Sequence, residues 1–212
     1  MIGLIGRKLG MGQIFAPDGT LVPVTIIQAG PCTVVQKKTT ERDGYAAIQL
    51  GFGSRKLQRA NKPLIGHCKK ANAEPFAVLR EFRTEDVDQY EVGNAVTASS
   101  LFKPGEIVDV IGKTKGRGYA GVMKRHGMAG FPDGRGTHEY FRHGGSIGNR
   151  SFPGRIFKGK RMAGQYGNDR MTQLHLRVVD VRDDGHLLFV RGAVPGASGG
   201  IVLVRKATIG KR

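Results

Sequence analysis

The chain has 212 residues, 39% of them hydrophobic, enough for one good core or one core with an appendage, so disorder throughout is excluded. Its 34 Lys and Arg stand against 17 Asp and Glu, a formal net charge of +17. Such an excess repels itself unless a polyanion compensates it, which makes nucleic acid the default partner.

The opening, "MIGLIGRKLGMGQIF", places a cation at Arg7 before any long apolar run can develop and shows no small-residue cleavage pattern. It is not a secretory signal, and a cytoplasmic protein is expected. From Ile2 to Phe52, short runs rich in β-branched residues ("LVPVTIIQA", "CTVVQKK", "AAIQLGF") alternate with turn signals and predict strands. Asp18-Gly19 and Asp43-Gly44 sit between such runs and predict hairpin reversals, because Gly takes positive φ at little steric cost. Around Asn61 the pattern changes: Asn61 as N-cap and Pro63 near the first turn predict a short helical insertion over about 61–71. Cys32 and Cys68 share no C-x-x-C spacing, so reduced thiols are expected, with neither a disulfide framework nor a zinc site.

Strand character returns at "FAVLREF" and, after an acidic patch over 85–91, at "EIVDVIG". It then stops. Residues 112–172 carry 13 Lys plus Arg against three acidic residues and hold 15 of the 33 glycines, and no apolar period survives beyond a turn after Arg125. Strands resume at "QLHLRVVDVR", turn at Asp184-Gly185, and continue through "HLLFVRGAVPG" and "IVLVRKA". The division expected is a β-domain over 1–112 and 172–212, and a basic, glycine-rich insertion over 113–171. Within the insertion, 127–161 is long for an ordinary loop and carries spaced aromatics, so it reads as a functional finger that orders against a partner. No run approaches the roughly 20 apolar residues of a membrane-spanning helix, and no basic amphipathic helix stands out.

Two enzyme readings centre on residues 112–121. Gly112-Lys113-Thr114 ends like a P-loop, but the glycine such a loop needs five positions earlier is Ile107, inside an expected strand. Gly116, Gly118 and Gly121 satisfy G-x-G-x-x-G, yet the acidic residue at the ribose spacing, Glu139, lies in "GTHEYFRHGG", which is no strand. His126, His138 and His143 could be acid-base or metal groups, but no Asp, Cys or Ser is placed to orient them; among cations and aromatics they read as nucleic-acid contacts. Lys113, Lys115, Arg117, Lys124 and Arg125 could be a solvated face, but the interleaved glycines favour a polyphosphate that approaches backbone amides and cations together. A DNA-architectural protein is the third class; neither a recognition helix nor a minor-groove wedge on a defined element is visible for it.

The segment "FKPGEIVDVIGKTKGRGYAGVMKR" (102–125) resembles, without a gap, the signature of the universally distributed ribosomal protein three of the large subunit. "IGLIGRKLGMGQIF", "GGSIG", "PGRIFKGKRMAGQYGN" and "LLFVRGAVPG" are likewise similar to bacterial members, so the resemblance covers essentially the whole chain. It implies a mainly β fold, a translation-protein-type β-barrel with a long finger that reaches toward the peptidyl-transferase centre. It further implies an early assembly role, with large-subunit ribosomal RNA and neighbouring ribosomal proteins as partners.

No cofactor, metal, small-molecule substrate, membrane or catalytic residue is expected. The RNA-binding set expected is Lys113, Lys115, Arg117, Lys124, Arg125, His126, Arg135, His138, Arg142, His143, Arg150, Arg155, Lys158, Lys160 and Arg161. Gly145, Ser146, Gly148, Asn149, Arg150, Ser151 and Phe152 form the expected tip. Some bacterial members carry a methylated glutamine where this chain has Ser151, so that modification is expected to be absent.

Overall fold

A computed structural model describes residues 3–207. The first strands are β1 (Gly3–Phe15), β2 (Leu21–Ala29), β3 (Cys32–Lys38), β4 (Ala47–Ser54), β5 (Phe76–Arg83) and β6 (Ala95–Val96). They are followed by β7 (Ile107–Lys113), β8 (Tyr119–Ala120), β9 (Gly164–Gln165), β10 (Arg170–Arg182), β11 (Leu187–Arg191) and β12 (Ile201–Lys206). The helices are short: α1 (Thr40–Asp43), α2 (Lys62–Lys69), α3 (Ala98–Leu101) and α4 (Val122–His126).

Six strands close into a barrel in the order β1-β12-β7-β10-β11-β2, antiparallel throughout. The mainly β barrel fold expected is the fold found. Val108 and Val110 of β7, Val178 of β10, Val190 of β11 and Val202 and Val204 of β12 are buried, as β-branched residues on paired strands should be. Register shifts at Lys8/Gly10 in β1, and at Gln173/Leu176 and Val178/Asp180 in β10, supply the local bends that closure needs. Two glycines of β1 are sterically required: a Cβ at Gly3 would collide with the Val204 carbonyl and the Phe82 ring, and one at Gly6 with the Gln28 carbonyl and the Ile27 side chain.

A second sheet, ordered β5-β4-β3-β6, shares one core with the barrel: Ile48, Leu50 and Phe82 join Leu4, Ile27 and Val204 in a single buried cluster. The expected helical insertion is α2, and Asn61 caps it by accepting a hydrogen bond from the Leu64 amide at 3.3 Å. Asp18-Gly19 turns β1 into β2, with Gly19 at φ +78°. The Asp43-Gly44 reversal contains a full helical turn, α1, which Gly44 ends in the left-handed conformation.

Two buried charged side chains brace the barrel, Lys8 by holding the β11–β12 connection to β1 and Asp109 by joining strands. Lys8 Nζ donates to the carbonyls of Val194 (2.8 Å) and Gly196 (3.1 Å). Asp109, only 2% exposed, accepts from the His175 amide and the Arg205 guanidinium, both at 3.2 Å, and so joins β7, β10 and β12. Buried charges with matched donors hold register, since losing one partner strands the other in a dry site.

Cys32 is fully buried, its thiol aimed at the Ile5 carbonyl 3.3 Å away, and burial pushes that thiol from 9.0 up to about 11. Because the folded value is raised, the folded state binds the proton more tightly, and its contribution to stability is lost as pH climbs from about 9 through 11. Native protein should therefore resist alkylation at Cys32 at pH 8, while denatured protein is labelled. Labelling followed by peptide mass analysis measures this, and rapid native labelling would contradict it.

Contacts divide the chain into two compact units: one formed by residues up to Lys113 and from Arg170 on, the other by Thr114–Asp169.

Candidate nucleic-acid interface

The unit Thr114–Asp169 begins and ends in a short antiparallel ladder. The Thr114 amide donates to the Asp169 carbonyl (2.9 Å), the Arg117 amide to Tyr166 (2.8 Å) and the Tyr166 amide to Gly118 (2.9 Å). β8 and β9 continue it, with Tyr119 opposite Gln165 and Ala120 opposite Gly164. Gly167 is required here: it sits at φ +72°, and a Cβ would run into the Lys115 carbonyl.

This ladder decides between the readings of the glycines. In a nucleotide loop, successive amides turn toward one phosphate group at the start of a helix. Here the Arg117 amide is already spent on Tyr166, Gly112 lies within β7, and the helix after Gly121 is the five-residue α4. The glycines shape a hairpin base instead.

α4 divides two neighbouring cations between different tasks. Lys124 is exposed, whereas Arg125 and His126 are half-buried. The Arg125 guanidinium donates to the Met162 carbonyl at 2.7 Å, and His126 Nε2 lies 3.0 Å from the same oxygen, a hydrogen bond when that nitrogen carries the proton. These two side chains clasp α4 to the returning segment at Met162. Arg117 is exposed but held, its guanidinium 4.9 Å from the centre of the Tyr166 ring.

Between α4 and β9 the chain is irregular except for a single 3-10 turn at His138–Tyr140. The Phe131 amide bonds to the Phe141 carbonyl (2.9 Å), and the Tyr140 and His143 rings stand 4.7 Å apart. Arg135, His138, Arg142, His143, Arg150, Arg155, Lys158, Lys160 and Arg161 are all exposed, as is Lys115 nearer the base. Lys113, exposed at the end of β7, belongs to the barrel unit. Gly145, Ser146, Gly148, Asn149, Arg150, Ser151 and Phe152 are exposed too, with Phe152 at 87%.

Electrostatics and aromatic exposure agree. Thr114–Asp169 holds eleven Lys and Arg against Asp133, Glu139 and Asp169. Among the described residues, the side-chain ion pairs resolved (Lys38–Glu81, Asp180–Arg182, Asp109–Arg205, Glu106–Lys206) all lie in the other unit. Tyr119, Tyr140, Phe152 and Phe157 expose more than half of their surface among these uncompensated cations. Sequence reading missed α4, which is one turn long, and the Met162 clasp, whose partners lie 36 and 37 residues apart.

The chain is similar in sequence to ribosomal proteins: it is 55% identical over 208 residues to the large ribosomal subunit protein uL3 of Syntrophobacter fumaroxidans, covering 98% of each chain. It is 52% identical over 209 residues to the uL3 protein of Thermotoga maritima, covering 99% of each, and 50% identical to that of Acidothermus cellulolyticus, covering 99% of this chain and 94% of the relative. The family model for ribosomal protein L3 matches residues 81–187. The chain belongs to the ribosomal protein L3 family. This is a family of ribosomal proteins and not of enzymes, which sets aside the nucleotide-dependent reading of residues 112–121.

Proposed function

We propose that the chain is a structural protein of the large ribosomal subunit that binds large-subunit ribosomal RNA directly through Thr114–Asp169. The observation that carries this reading is the set of exposed cations, unpaired with carboxylates and interleaved with exposed aromatics, in a unit separate from the hydrophobic core. Cations of this kind bind by displacing counterions from phosphate, and aromatics stack on bases that leave their helices. Binding to folded RNA reads mostly shape and backbone. The chain works in the cytoplasm, joins the subunit early, and contacts neighbouring ribosomal proteins. Among the described residues no helix is long and apolar enough to cross a membrane.

Labour divides along the unit. Lys115 and Arg117 flank the ladder at its base and supply affinity through phosphate. Residues 145–152, near the middle of the finger over 127–161, approach the peptidyl-transferase centre, where Arg150 neutralises phosphate. Ser151 stands where some bacterial members carry a methylated glutamine, so that modification has no glutamine to act on here. Replacing Lys115 and Arg117 together by Ala should reduce incorporation into large subunits. A variant with Arg150→Ala and Ser151→Ala should incorporate and then show altered peptide-bond formation. Sedimentation of reconstituted subunits and a single-turnover peptidyl-transfer assay read the two effects. Normal incorporation of the first variant beside exclusion of the second would reverse the assignment.

A further inference from the structure

We propose that Tyr119 is a stacking platform for one unpaired RNA base, with Lys115 and Arg117 taking the adjoining phosphates. The proposal rests on the RNA-binding reading above and adds a ligand-specific site to it. Tyr119 is 79% exposed although it lies in a paired strand, β8. Its neighbour Ala120 is 4% exposed, so the pleat turns Ala120 inward and the Tyr119 ring outward. The ladder above and below, and the Arg125 clasp on Met162, fix the backbone that carries the ring. An aromatic mounted on a strand stacks with little ordering cost, having only two side-chain torsions to fix.

The surroundings select the occupant. Directly across the ladder is Gln165, exposed, whose amide can donate to or accept from a base edge. On the chain just before Tyr119, Lys115 and Arg117 are exposed, and the stacking of Arg117 on Tyr166 holds its charge in place. An apolar protein surface would leave these cations unsatisfied, and a paired RNA helix hides its base faces within its own stack. Only an unpaired nucleotide offers a π face and a phosphate together.

The test uses the full chain, a transcript of large-subunit ribosomal RNA as probe, and affinity measured over a series of salt concentrations. Tyr119→Phe should bind within about twofold of the unaltered chain. Tyr119→Ala and Tyr119→Leu should bind about 5- to 150-fold more weakly, the range of one lost base-aromatic stack. Their dependence of log affinity on log salt should be unchanged, because a stack neutralises no phosphate; Lys115→Ala with Arg117→Ala should flatten it. Wild-type affinity in Tyr119→Ala overturns the proposal. So does equal binding by the Leu and Phe variants, which would mark a plain apolar contact such as a protein neighbour makes, or a flattened salt dependence in Tyr119→Ala. The Leu variant keeps the side-chain bulk, so the comparison with Phe holds even if the Ala variant is destabilised. Failure of the unaltered chain to bind the transcript at all overturns the RNA-binding reading itself, an outcome visible before any variant is compared.

Discussion

A chain in which residues 116–167 are replaced by a Gly-Gly link is expected to unfold in the same cooperative transition as the full chain, within about 1 kcal/mol, and to lose its affinity for ribosomal RNA. The joint is geometrically simple. Lys113 and Arg170 are partners in the β7–β10 ladder, and the Thr114 amide donates to the Asp169 carbonyl at 2.9 Å, so the cut ends already lie side by side. Loop-closure entropy changes only with the logarithm of length, and no member of the main hydrophobic cluster comes from Thr114–Asp169. The deletion removes ten of the unit's eleven Lys and Arg. If six or more of them meet phosphate, affinity at moderate salt should fall at least about a thousandfold. Thermal unfolding followed by circular dichroism, and filter binding of the transcript, measure the two halves. Collapse of the cooperative transition would show that the basic unit belongs to the core.

Arg125→Ala is expected to loosen the base of the unit, while Lys124→Ala next to it leaves the base intact. Removing the Arg125 guanidinium takes away the 2.7 Å donor to the Met162 carbonyl and leaves His126 as its remaining side-chain partner. A charged hydrogen bond of this kind contributes about 1.5–3 kcal/mol. Exchange of the Arg117 and Tyr166 amides, both bonded within the ladder, should then accelerate by about 10- to 150-fold. Lys124 is exposed, so its removal should leave exchange unchanged and reduce the salt dependence of RNA binding by about one phosphate contact. Arg125→Lys should be intermediate, since an ammonium reaches a carbonyl but lacks the planar fork. Unchanged exchange in Arg125→Ala beside a weaker salt dependence would make Arg125 an ordinary phosphate cation.

What could be read from the chain depended on the range of the interaction that sets it. Asn61 capping α2, Gly19 turning β1 into β2, and the valines of β7 and β12 act within a few residues or by simple periodicity, and each was legible. The full thirteen-residue extent of β1 was not, because glycines weaken a strand on paper; the reason for Gly3 lies on β12 and β5. The cations of the basic unit were legible as charge. Their separate roles were not: Arg125 and Lys124 are adjacent, and only the distant Met162 carbonyl distinguishes them. Tyr119 was silent for a similar reason, since its exposure follows from pairing with β9, more than forty residues on.

Barrel closure has a consequence for the order of events during synthesis. β1 finds one of its two neighbours in β12, where Gly3 pairs with Arg205 and Arg7 with Ile201, and β7 waits for the same strand. Contacts so far apart in sequence form slowly, because the entropy of a very long loop is lost before they form. A growing chain has therefore made all of Thr114–Asp169 before either strand can have its last partner. Until β12 arrives, β1 and β7 each present an open edge, the kind of surface to which a second nascent chain can add a strand. The polycationic segment is finished first, and its like charges keep such chains apart during that interval.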